Sequence, residues 1–275
     1  MSVAPVTGPY EAAPGGASCA DGSSDAVAVR ASLTRVRAMA GLPPLDCSDA
    51  AQVAAQAHAD YLDRNHLFAH LERQGLPGFT GSTPCDRLAS AGYPGACSAE
   101  VASQVVGAAS IDGIYGYLNS VYHRPPLLRI EAVAYGYGGD AGVSVIDFGA
   151  SAVAAAQPSR VIWPPDGASD VPTTFHAGNE LPNPVAPATT VGSPVSVVTN
   201  RPIDRLVVSL VGPEGPVDGV LITAQSDPNA LTRAGEAHLV PKAPLAPSTA
   251  YRARFELVQG DADLVLESRF TTAPE

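Results

Sequence analysis

Apolar positions near the start of the chain recur at the spacing of an α-helix. Val29 and Leu33 lie on one helical face, and the glycine and two prolines of residues 41–44 stop the helix. Ser48 has the features of a helix cap and Asn65 those of a left-handed helix end, so a second helix is predicted between them. The chain therefore begins with two helices separated by a short break.

The next part of the chain has no clear periodicity. Eight glycines and prolines interrupt residues 71–98, which predicts an irregular connection that is functional or held by a cross-link. A short helix is predicted over residues 100–106, beginning at Glu100. A further helix is predicted from Ser110 to a stop at the prolines of residues 125–126.

Strand patterns follow. Alternating apolar residues over 130–137 and 143–148 flank Gly138-Gly139-Asp140, which predicts a β-hairpin. After a small, alanine-rich stretch, helical spacing disappears, and short alternating runs separated by turn residues predict a β-sandwich. These runs cover residues 195–198, 206–211, 220–223, 251–257 and 264–270.

Together these patterns predict an α+β chain with two domains. Residues 1–23, rich in small side chains, are expected to be flexible, and residues 24–150 are expected to form a layered α–β domain. Residues 151–160 are the predicted linker, and residues 161–275 the predicted all-β domain. At 275 residues the chain is long enough for each domain to bury its own core.

The charge of the chain argues against one class of partner. It contains 16 basic and 27 acidic residues, a net charge of −11, so no nucleic acid or anionic membrane is expected as a charge-driven partner. No apolar run approaches the roughly 20 residues needed to span a bilayer, so no transmembrane segment is predicted. Residues 1–16 show neither a basic region nor an apolar core, so no signal peptide is expected in this sequence, and export is an inference.

The four cysteines lie in the first hundred residues, and none forms a CxxC motif or has zinc-finger spacing. An even number at wide spacing predicts two disulfides in an oxidising compartment. Pairing of nearest neighbours joins Cys19 to Cys47 and Cys85 to Cys97, although four cysteines permit three connectivities. The alternative is four buried thiols in a cytosolic protein.

Three residues from separate segments form the candidate site. His70, Glu100 and His123 supply two imidazoles and a carboxylate, a set that binds Zn²⁺ with one position open. By spacing alone, the alternative that each makes a local hydrogen bond is favoured, because the three are distant in the chain. His58, inside the second helix, is expected to be a packed or surface residue, and His238 to be structural or exposed.

A series of short motifs favours the candidate metal site over the alternative of separate local hydrogen bonds. They occupy residues 33–37, 41–45, 57–62, 65–70, 78–81, 87, 92–93, 100, 120–124 and 135–138, and they include Asn-His-Leu-Phe-Ala-His and Ser-Val-Tyr-His-Arg. Their order and spacing over residues 24–150 resemble the CAP superfamily in its bacterial branch. This superfamily comprises the cysteine-rich secretory, antigen 5 and pathogenesis-related 1 proteins, and its domain is also called the SCP-like extracellular domain. The resemblance implies an α–β–α sandwich that is secreted or attached to the cell surface.

The resemblance also implies a central cleft in which two histidines and two acidic residues bind zinc or another divalent metal. His70 and His123 match the two histidines, and Glu100 matches one acidic residue. Ser120 stands where the second acidic residue can occur, and the asparagine that usually follows the glutamate is absent. Glu72 is a candidate for the missing carboxylate, although its position is outside the family pattern.

The second half carries a separate resemblance. The motifs at residues 164–167, 244–251 and 270–272 are similar to those of bacterial immunoglobulin-like domains. This likeness implies an all-β, immunoglobulin-like sandwich that acts as a spacer or an adhesive module, without chemistry of its own.

Three functions are consistent with these features, all for a secreted or cell-surface protein. The favoured one is a non-enzymatic protein whose cleft binds a divalent metal, a lipid or another small molecule, or a cell-envelope partner. The second is a hydrolase in which His70, Glu100 and His123 activate water, directly or through a metal. The third is a structural or adhesive protein of the cell envelope.

Overall fold

The structure, a computed structural model, describes Cys19 and residues 24–104, 111–140, 142–151 and 159–274. These residues form two compact units. The first contains the described residues as far as Tyr117 together with residues 130–151, and the second contains Leu118–Arg129 together with residues 159–274. Apart from Cys19, the predicted flexible segment 1–23 lies outside the described residues, as does most of the predicted linker. The predicted domain boundaries stay predictions.

The amino-terminal half contains five helices and four strands in its described part. They are α1 (Ser24–Met39), β1 (Asp46–Cys47), α2 (Asp49–Asn65), α3 (Pro84–Ser90), β2 (Ala96–Ser103), α4 (Ile111–Leu118), α5 (Arg124–Leu128), β3 (Ala132–Asp140) and β4 (Val143–Ala150). The strands form one sheet in the order β1-β3-β4-β2, in which only β1 and β3 are parallel. None of these helices is long and apolar enough to cross a membrane.

Helix α2 packs across β3 and β4 at a distance that requires glycine on the sheet. A Cβ atom added at Gly136 would overlap the backbone of Ala51 and Gln52. One added at Gly138 would overlap the backbone at Gln56. The absence of side chains at these two positions therefore sets the distance between the helix and the sheet.

The predicted start of α2 is confirmed, whereas its left-handed end is displaced by one residue. The side chain of Ser48 accepts a hydrogen bond from the first turn of the helix. The left-handed residue is His66 (φ 51°, ψ 45°), and not Asn65. Asn65 stays in the helix, where its amide donates to the carbonyl oxygens of Tyr61 and Pro77.

The prediction of an irregular region over residues 71–98 is wrong in two places. Helix α3 begins with a capping box, in which Thr83 and Asp86 each accept a hydrogen bond from the other's backbone N–H. Strand β2 begins at Ala96. The sequence contained a signal for the helix, since a threonine three residues before an acidic residue, followed by proline, is a helix start.

Two further predictions of local structure are wrong. The helix predicted over residues 100–106 does not form in its described part, because Glu100 pairs with Asp147 of β4 as part of strand β2. The prolines of residues 125–126 do not stop α4 but lie in the first turn of α5, where no N–H is needed. The predicted hairpin is confirmed as β3 and β4, although β3 continues through both glycines of the predicted turn.

Both disulfides predicted by nearest-neighbour pairing are present. They join Cys19 to Cys47 in β1, and Cys85 in α3 to Cys97 in β2. No cysteine is free, so the alternative of four buried thiols is wrong. The second disulfide connects α3 to the sheet within the region where the sequence predicts a cross-link.

The second unit is mostly β-structure. Its strands are β5 (Arg160–Trp163), β6 (Ala168–Val171), β7 (Thr174–Phe175), β8 (Val191–Gly192), β9 (Val195–Thr199), β10 (Arg205–Gly212), β11 (Gly215–Pro216), β12 (Gly219–Thr223), β13 (Glu236–Pro241), β14 (Ala250–Gln259) and β15 (Ala262–Thr272), with a 3₁₀ turn at Ala177–Asn179. The five strands predicted from alternation are confirmed as β9, β10, β12, β14 and β15.

Two larger sheets share the core of the second unit. One has the order β11-β10-β14-β15-β6 and the other β12-β13-β9-β5, while β7 and β8 form a short pair. A single hydrophobic core contains buried residues of both, among them Val197 of β9 and Phe255 of β14. The two sheets therefore contribute to the same core.

The segment Leu118–Arg129, which we call the inserted segment, is held in the second unit by buried charged groups. The guanidinium of Arg124 is buried, and its Nη1 donates to Oγ of Ser196 at 2.6 Å. Arg129 forms an ion pair with Glu236 at 2.8 Å. Because an unpaired buried charge is costly, these contacts fix the segment to the strands of the second unit.

Replacement of Gly136 by alanine is expected to destabilise the protein by about 1–3 kcal/mol, because α2 must move to accommodate the added Cβ. Gly116→Ala in α4 is the matched control, since nothing lies within 4 Å of its added Cβ. That variant is expected to be as stable as the wild type, or more stable by up to about 1 kcal/mol. Denaturant unfolding measures both, and equal effects of the two substitutions would contradict the close helix–sheet approach.

Removal of the Cys85–Cys97 disulfide by double substitution with serine is expected to lower the free energy of unfolding by about 3 kcal/mol, because the bridge closes a short loop in the unfolded chain. The control compares the midpoints of denaturant unfolding of the wild type and the variant, each with and without reductant. In strong reductant the difference from the wild type should largely disappear. An unchanged midpoint under oxidising conditions would show that the bridge contributes nothing.

Candidate functional site

The first unit contains a group of charged side chains around Glu100. We call this group the buried charged cluster; it consists of His58 of α2, Glu72 of the following loop, Arg87 of α3, Glu100 of β2 and Asp147 of β4. The four side chains that form ion pairs in it are at most 1% exposed, and Asp147 is fully buried. His70 lies beside the cluster with 44% of its side chain exposed.

Four secondary-structure elements bring the cluster together. Glu100 and Asp147 are directly opposite each other on neighbouring antiparallel strands, so their side chains lie on the same face of the sheet. His58 belongs to the buried face of α2, which packs on this sheet. Arg87 is buried on α3, which packs against β2.

His70 is oriented by a carboxylate. Its Nδ1 lies 2.7 Å from Oε1 of Glu100. A carboxylate only accepts hydrogen bonds, so Nδ1 bears the hydrogen, and in the neutral ring the lone pair is on Nε2. Within the described part of the chain Nε2 has no hydrogen-bond partner. The structure therefore offers one exposed imidazole nitrogen with a defined tautomer.

Both oxygens of Glu100 are occupied. Oε1 accepts from His70, and Oε2 forms a short ion pair with Arg87. Burial opposes ionisation of Glu100, but the hydrogen bond from His70 and the charges of Arg87 and His58 hold the pKa of this carboxyl below its usual value. Glu100 is therefore a carboxylate that is fully used inside the protein.

Arg87 connects the cluster to the loop that carries His70. Its Nη2 donates to the carbonyl oxygen of His70 at 3.1 Å as well as to Glu100. Its Nε lies 3.8 Å from Oε1 of Glu72. The sequence marked Arg87 only as part of a motif, and its role in positioning His70 was not predicted.

His58 is a member of the cluster that sequence reasoning missed. Its Nδ1 lies 2.9 Å from Oε1 of Glu72, and its Nε2 lies 3.0 Å from the carbonyl oxygen of Ala69. Both partners only accept hydrogen bonds, so the ring satisfies both of them only when both nitrogens bear hydrogens. Of the two predicted environments, packed or at the surface, the first is the one observed, since His58 is fully buried, but helical periodicity does not indicate its two polar partners.

Glu72, the candidate for a missing ligand carboxylate, holds the loop instead of facing solvent. It accepts hydrogen bonds from the backbone N–H of Thr80 at 2.7 Å and of Gly81 at 3.3 Å, in addition to His58. Its side chain is fully buried. The loop between α2 and α3 thus folds around this carboxylate.

Asp147 has the least favourable environment in the cluster. Within the described residues no N–H or O–H group donates to either of its carboxyl oxygens, the side chain is fully buried, and its one polar neighbour of this kind is the carboxylate of Glu100. Burial and then the negative charge of Glu100 raise the pKa of Asp147 well above its usual value, against the opposite effect of Arg87. The folded protein therefore retains a proton on Asp147 to a higher pH than the unfolded chain does.

The remaining predicted site residues, Ser120 and His123, belong to the inserted segment and hence to the second unit. Ser120 is buried. Nδ1 of His123 lies 2.8 Å from Oε1 of Glu180, a carboxylate that is 2% exposed. Glu180 was not predicted, because it is a single acidic residue in the β-patterned half with no motif around it.

Of the three predicted metal ligands, His70 and Glu100 lie in the first unit and His123 in the second. Among the described residues, no group of three or more His, Cys, Asp or Glu side chains is arranged to hold a metal ion. His70 fits a metal by its exposed nitrogen, whereas the oxygens of Glu100 are engaged by His70 and Arg87. The first unit thus presents one half-exposed imidazole, His70, whose ring is bonded to Glu100, and the predicted metal site stays a prediction.

The raised pKa of Asp147 predicts a dependence of stability on pH. The folded state retains a proton that the unfolded chain releases above about pH 3.9, so this contribution to stability is present at low pH and is lost as the pH rises through the folded pKa. Asp147→Asn keeps the shape without titrating. The free energy of unfolding of Asp147→Asn minus that of the wild type is expected to increase as the pH rises from about 4, by up to about 1.4 kcal/mol per pH unit.

Urea unfolding over a series of pH values measures this effect. Asp263→Asn, whose side chain is 87% exposed, is the control and is expected to show a much smaller dependence. A difference between Asp147→Asn and the wild type that does not change with pH would show that Asp147 has an ordinary pKa.

Comparison with known proteins gives a family match and a distant structural likeness. The chain is similar to the crystal structure of an extracellular protein containing an SCP domain from Bacillus anthracis str. Ames, with 21% identity and a TM-score of 0.41. The likeness covers 46% of this chain and 40% of that chain, so this chain spans less than half the length of that relative. No curated protein matches. Residues 31–140, which contain His70 and every member of the buried charged cluster except Asp147, match the model of the cysteine-rich secretory protein family, CAP.

Proposed function

We propose that this protein is an extracellular, non-enzymatic protein of the bacterial CAP branch that binds a divalent cation through His70. The observation that supports the proposal is the geometry of that residue. Its Nδ1 is bonded to the buried carboxylate of Glu100, while 44% of the side chain is exposed. The ring is therefore held in one orientation with its other nitrogen accessible.

The chemistry of this donor favours zinc. Imidazole nitrogen is a common zinc ligand, and metal-binding histidines typically donate their other N–H to a carboxylate or a carbonyl group. In this proposal Glu100 orients His70 and keeps the hydrogen on its Nδ1, and it does not itself bind the metal. His123 has the same relation to Glu180 in the second unit and is not part of this proposal. Coordination positions beyond His70 are left to water or to the bound partner.

A binding role is favoured over a hydrolase because the cysteines and the charged groups around Glu100 are already bonded to other groups of the protein. All four cysteines are in disulfides, so no thiolate nucleophile is present. The charged groups around Glu100 are buried and bonded to one another, which suits them to hold His70 in place. The hydrolase alternative would require His70 alone to activate a water molecule.

The proposed location follows from two features. Paired cysteines persist in oxidising compartments, and the family matched by residues 31–140 is described as secretory. We therefore place the protein outside the cell or on its surface.

For the second unit we propose an immunoglobulin-like domain that contacts a cell-envelope partner or acts as a spacer. Its two sheets share one core, and the hydroxyl of Tyr251, near the start of β14, accepts a hydrogen bond from the backbone N–H of Ala246. A tyrosine bonded to the backbone a few residues upstream is a recurrent corner of immunoglobulin-like domains.

Zinc titration by calorimetry tests the proposed ligand. Untagged wild-type protein near neutral pH is expected to show saturable binding, and His70→Ala is expected to bind at least about tenfold more weakly, because a ligand is lost. His176→Ala, which removes an exposed histidine of the second unit, is the matched control and should bind like the wild type.

Two results would contradict the proposal. Equal affinity of the wild type and His70→Ala would exclude His70 as a ligand, and absence of binding in the wild type would exclude a zinc-binding function. Turnover of ester or peptide substrates that disappears in His70→Ala would support the hydrolase alternative instead.

A further inference from the structure

His238 of β13 is buried in the second unit beside the inserted segment. It lies directly opposite Ser196 of β9, and Nδ1 of its ring is 2.7 Å from Oγ of that serine. Both residues are at most 1% exposed. Oγ of Ser196 also accepts a hydrogen bond from Nη1 of Arg124, in the inserted segment, at 2.6 Å. Three buried groups in a row thus connect the segment to two strands of the second unit.

The hydrogens of these three groups follow from their chemistry. A guanidinium only donates, so Ser196 accepts from Arg124, and the hydroxyl uses its own hydrogen when it donates to Nδ1 of His238. Nδ1 is then an acceptor, and Nε2 bears the hydrogen of the neutral ring. Nε2 has no hydrogen-bond partner among the described residues. A second proton on the ring has to bind Nδ1, where it sets two cationic donors against one hydroxyl oxygen.

The positive charges near the ring also oppose a second proton. Burial and then the charge of Arg124 lower the pKa of His238 to about 3; Arg129 adds to this effect, and Asp227 opposes it. Both arginines belong to the inserted segment. The folded second unit therefore holds this histidine as a neutral ring.

The carboxylates in this part of the second unit have other partners. Both oxygens of Asp227 accept hydrogen bonds from the N–H groups of its own loop, and one also accepts from the hydroxyl of Tyr122 at 2.6 Å. Glu236, two residues before the histidine on β13, is paired with Arg129. Glu180 accepts from the backbone of the inserted segment. Each carboxylate is thus bonded to a group other than the ring.

We propose that His238 is an acid-sensitive anchor of the inserted segment, whose protonation breaks the hydrogen bond from Ser196 and releases the segment from the strands of the second unit. Protonation adds a positive charge beside Arg124 and Arg129 at a site that fits a neutral ring. Release of the segment hydrates that charge and separates it from the two arginines. This inference goes beyond the proposed function and does not depend on metal binding.

The direction of the pH effect follows from the two states of the ring. In the unfolded chain an imidazole binds its proton with an ordinary pKa of about 6.5, whereas the pKa of His238 in the folded protein is about 3. The contribution of the neutral ring to stability is therefore fully present above about pH 6.5, and it is lost as the pH falls towards 3. For one proton, the equilibrium constant of unfolding rises by up to about tenfold for each pH unit.

Urea unfolding of the full-length protein from about pH 7.5 down to about pH 5, with a chelator present, tests the proposal. His238→Asn removes the titrating ring and keeps an oxygen that can accept from Ser196. On acidification the equilibrium constant of unfolding is expected to rise more for the wild type than for this variant, by up to about tenfold for each pH unit. His176→Asn, which replaces an exposed histidine of the same unit, is the matched control and should follow the wild type.

Hydrogen exchange at single amides distinguishes release of the segment from a general loss of stability. The backbone N–H groups of Val121 and Tyr122 report on the segment, because both donate to Glu180. After correction for the intrinsic effect of pH on exchange, their protection is expected to fall on acidification in the wild type and to change less in His238→Asn. The amides of β14, in the core of the same unit, should keep their protection.

Three results would overturn the proposal. The first is an equal pH dependence of unfolding in the wild type and His238→Asn. The second is a loss of protection that β14 shares equally, because the unit would then unfold as a whole. If His238→Asn does not fold, NMR of the assigned His238 ring in the wild type decides. A charged ring at about pH 5 in the folded protein would be the third contrary result, and a ring still neutral there would support the proposal.

Discussion

The buried ion pair between Arg87 and Glu100 is the interaction on which the candidate site depends. Arg87 binds the backbone carbonyl of His70, and Glu100 binds its ring, so the two members of the pair hold the same exposed histidine at both ends. Loss of one partner from a buried pair typically costs about 3–5 kcal/mol, because the other charge is left uncompensated in a medium of low polarity. Helix α3, strand β2 and the His70 loop are therefore coupled energetically, and the exposed ring is supported by rigid elements.

The same physical constraint explains the rest of the buried charged cluster. The carboxyl group of Glu72 accepts hydrogen bonds from backbone N–H groups and lies against His58, while Asp147 lies beside Glu100 with no donor of its own, and its pKa is raised by burial and by Glu100. The polar groups of the cluster thus contact one another inside the protein, whereas 44% of the side chain of His70 is exposed. In the second unit Glu180 and Arg124 show a similar balance behind His123. Both arrangements orient an imidazole while the carboxylate itself stays away from solvent.

Local structure was predictable wherever a signal lay within a few residues. Alternation predicted five strands of the second unit, and Ser48 predicted the start of α2. The failures have equally local causes. The neighbours of Glu100 predict a helix, although its conformation is set by pairing with β4, and the surrounding glycines and prolines obscure the start of α3. The prolines of residues 125–126 predict a helix stop, but proline is equally suited to the first turn of a helix.

The sequence by itself determined the two helices at the start of the chain and the β-pattern of its second half, because periodicity and caps are local properties. It also limited the pairing of the four cysteines to three connectivities. It also singled out His70, Glu100 and His123 through a family resemblance. Only the tertiary structure decided what these residues contact. His58, Arg87, Asp147 and Glu180 have no periodic or local signature, and their roles come from strand register and helix packing over long sequence separations. A buried charge is defined by its partners, and a sequence without contacts does not contain them.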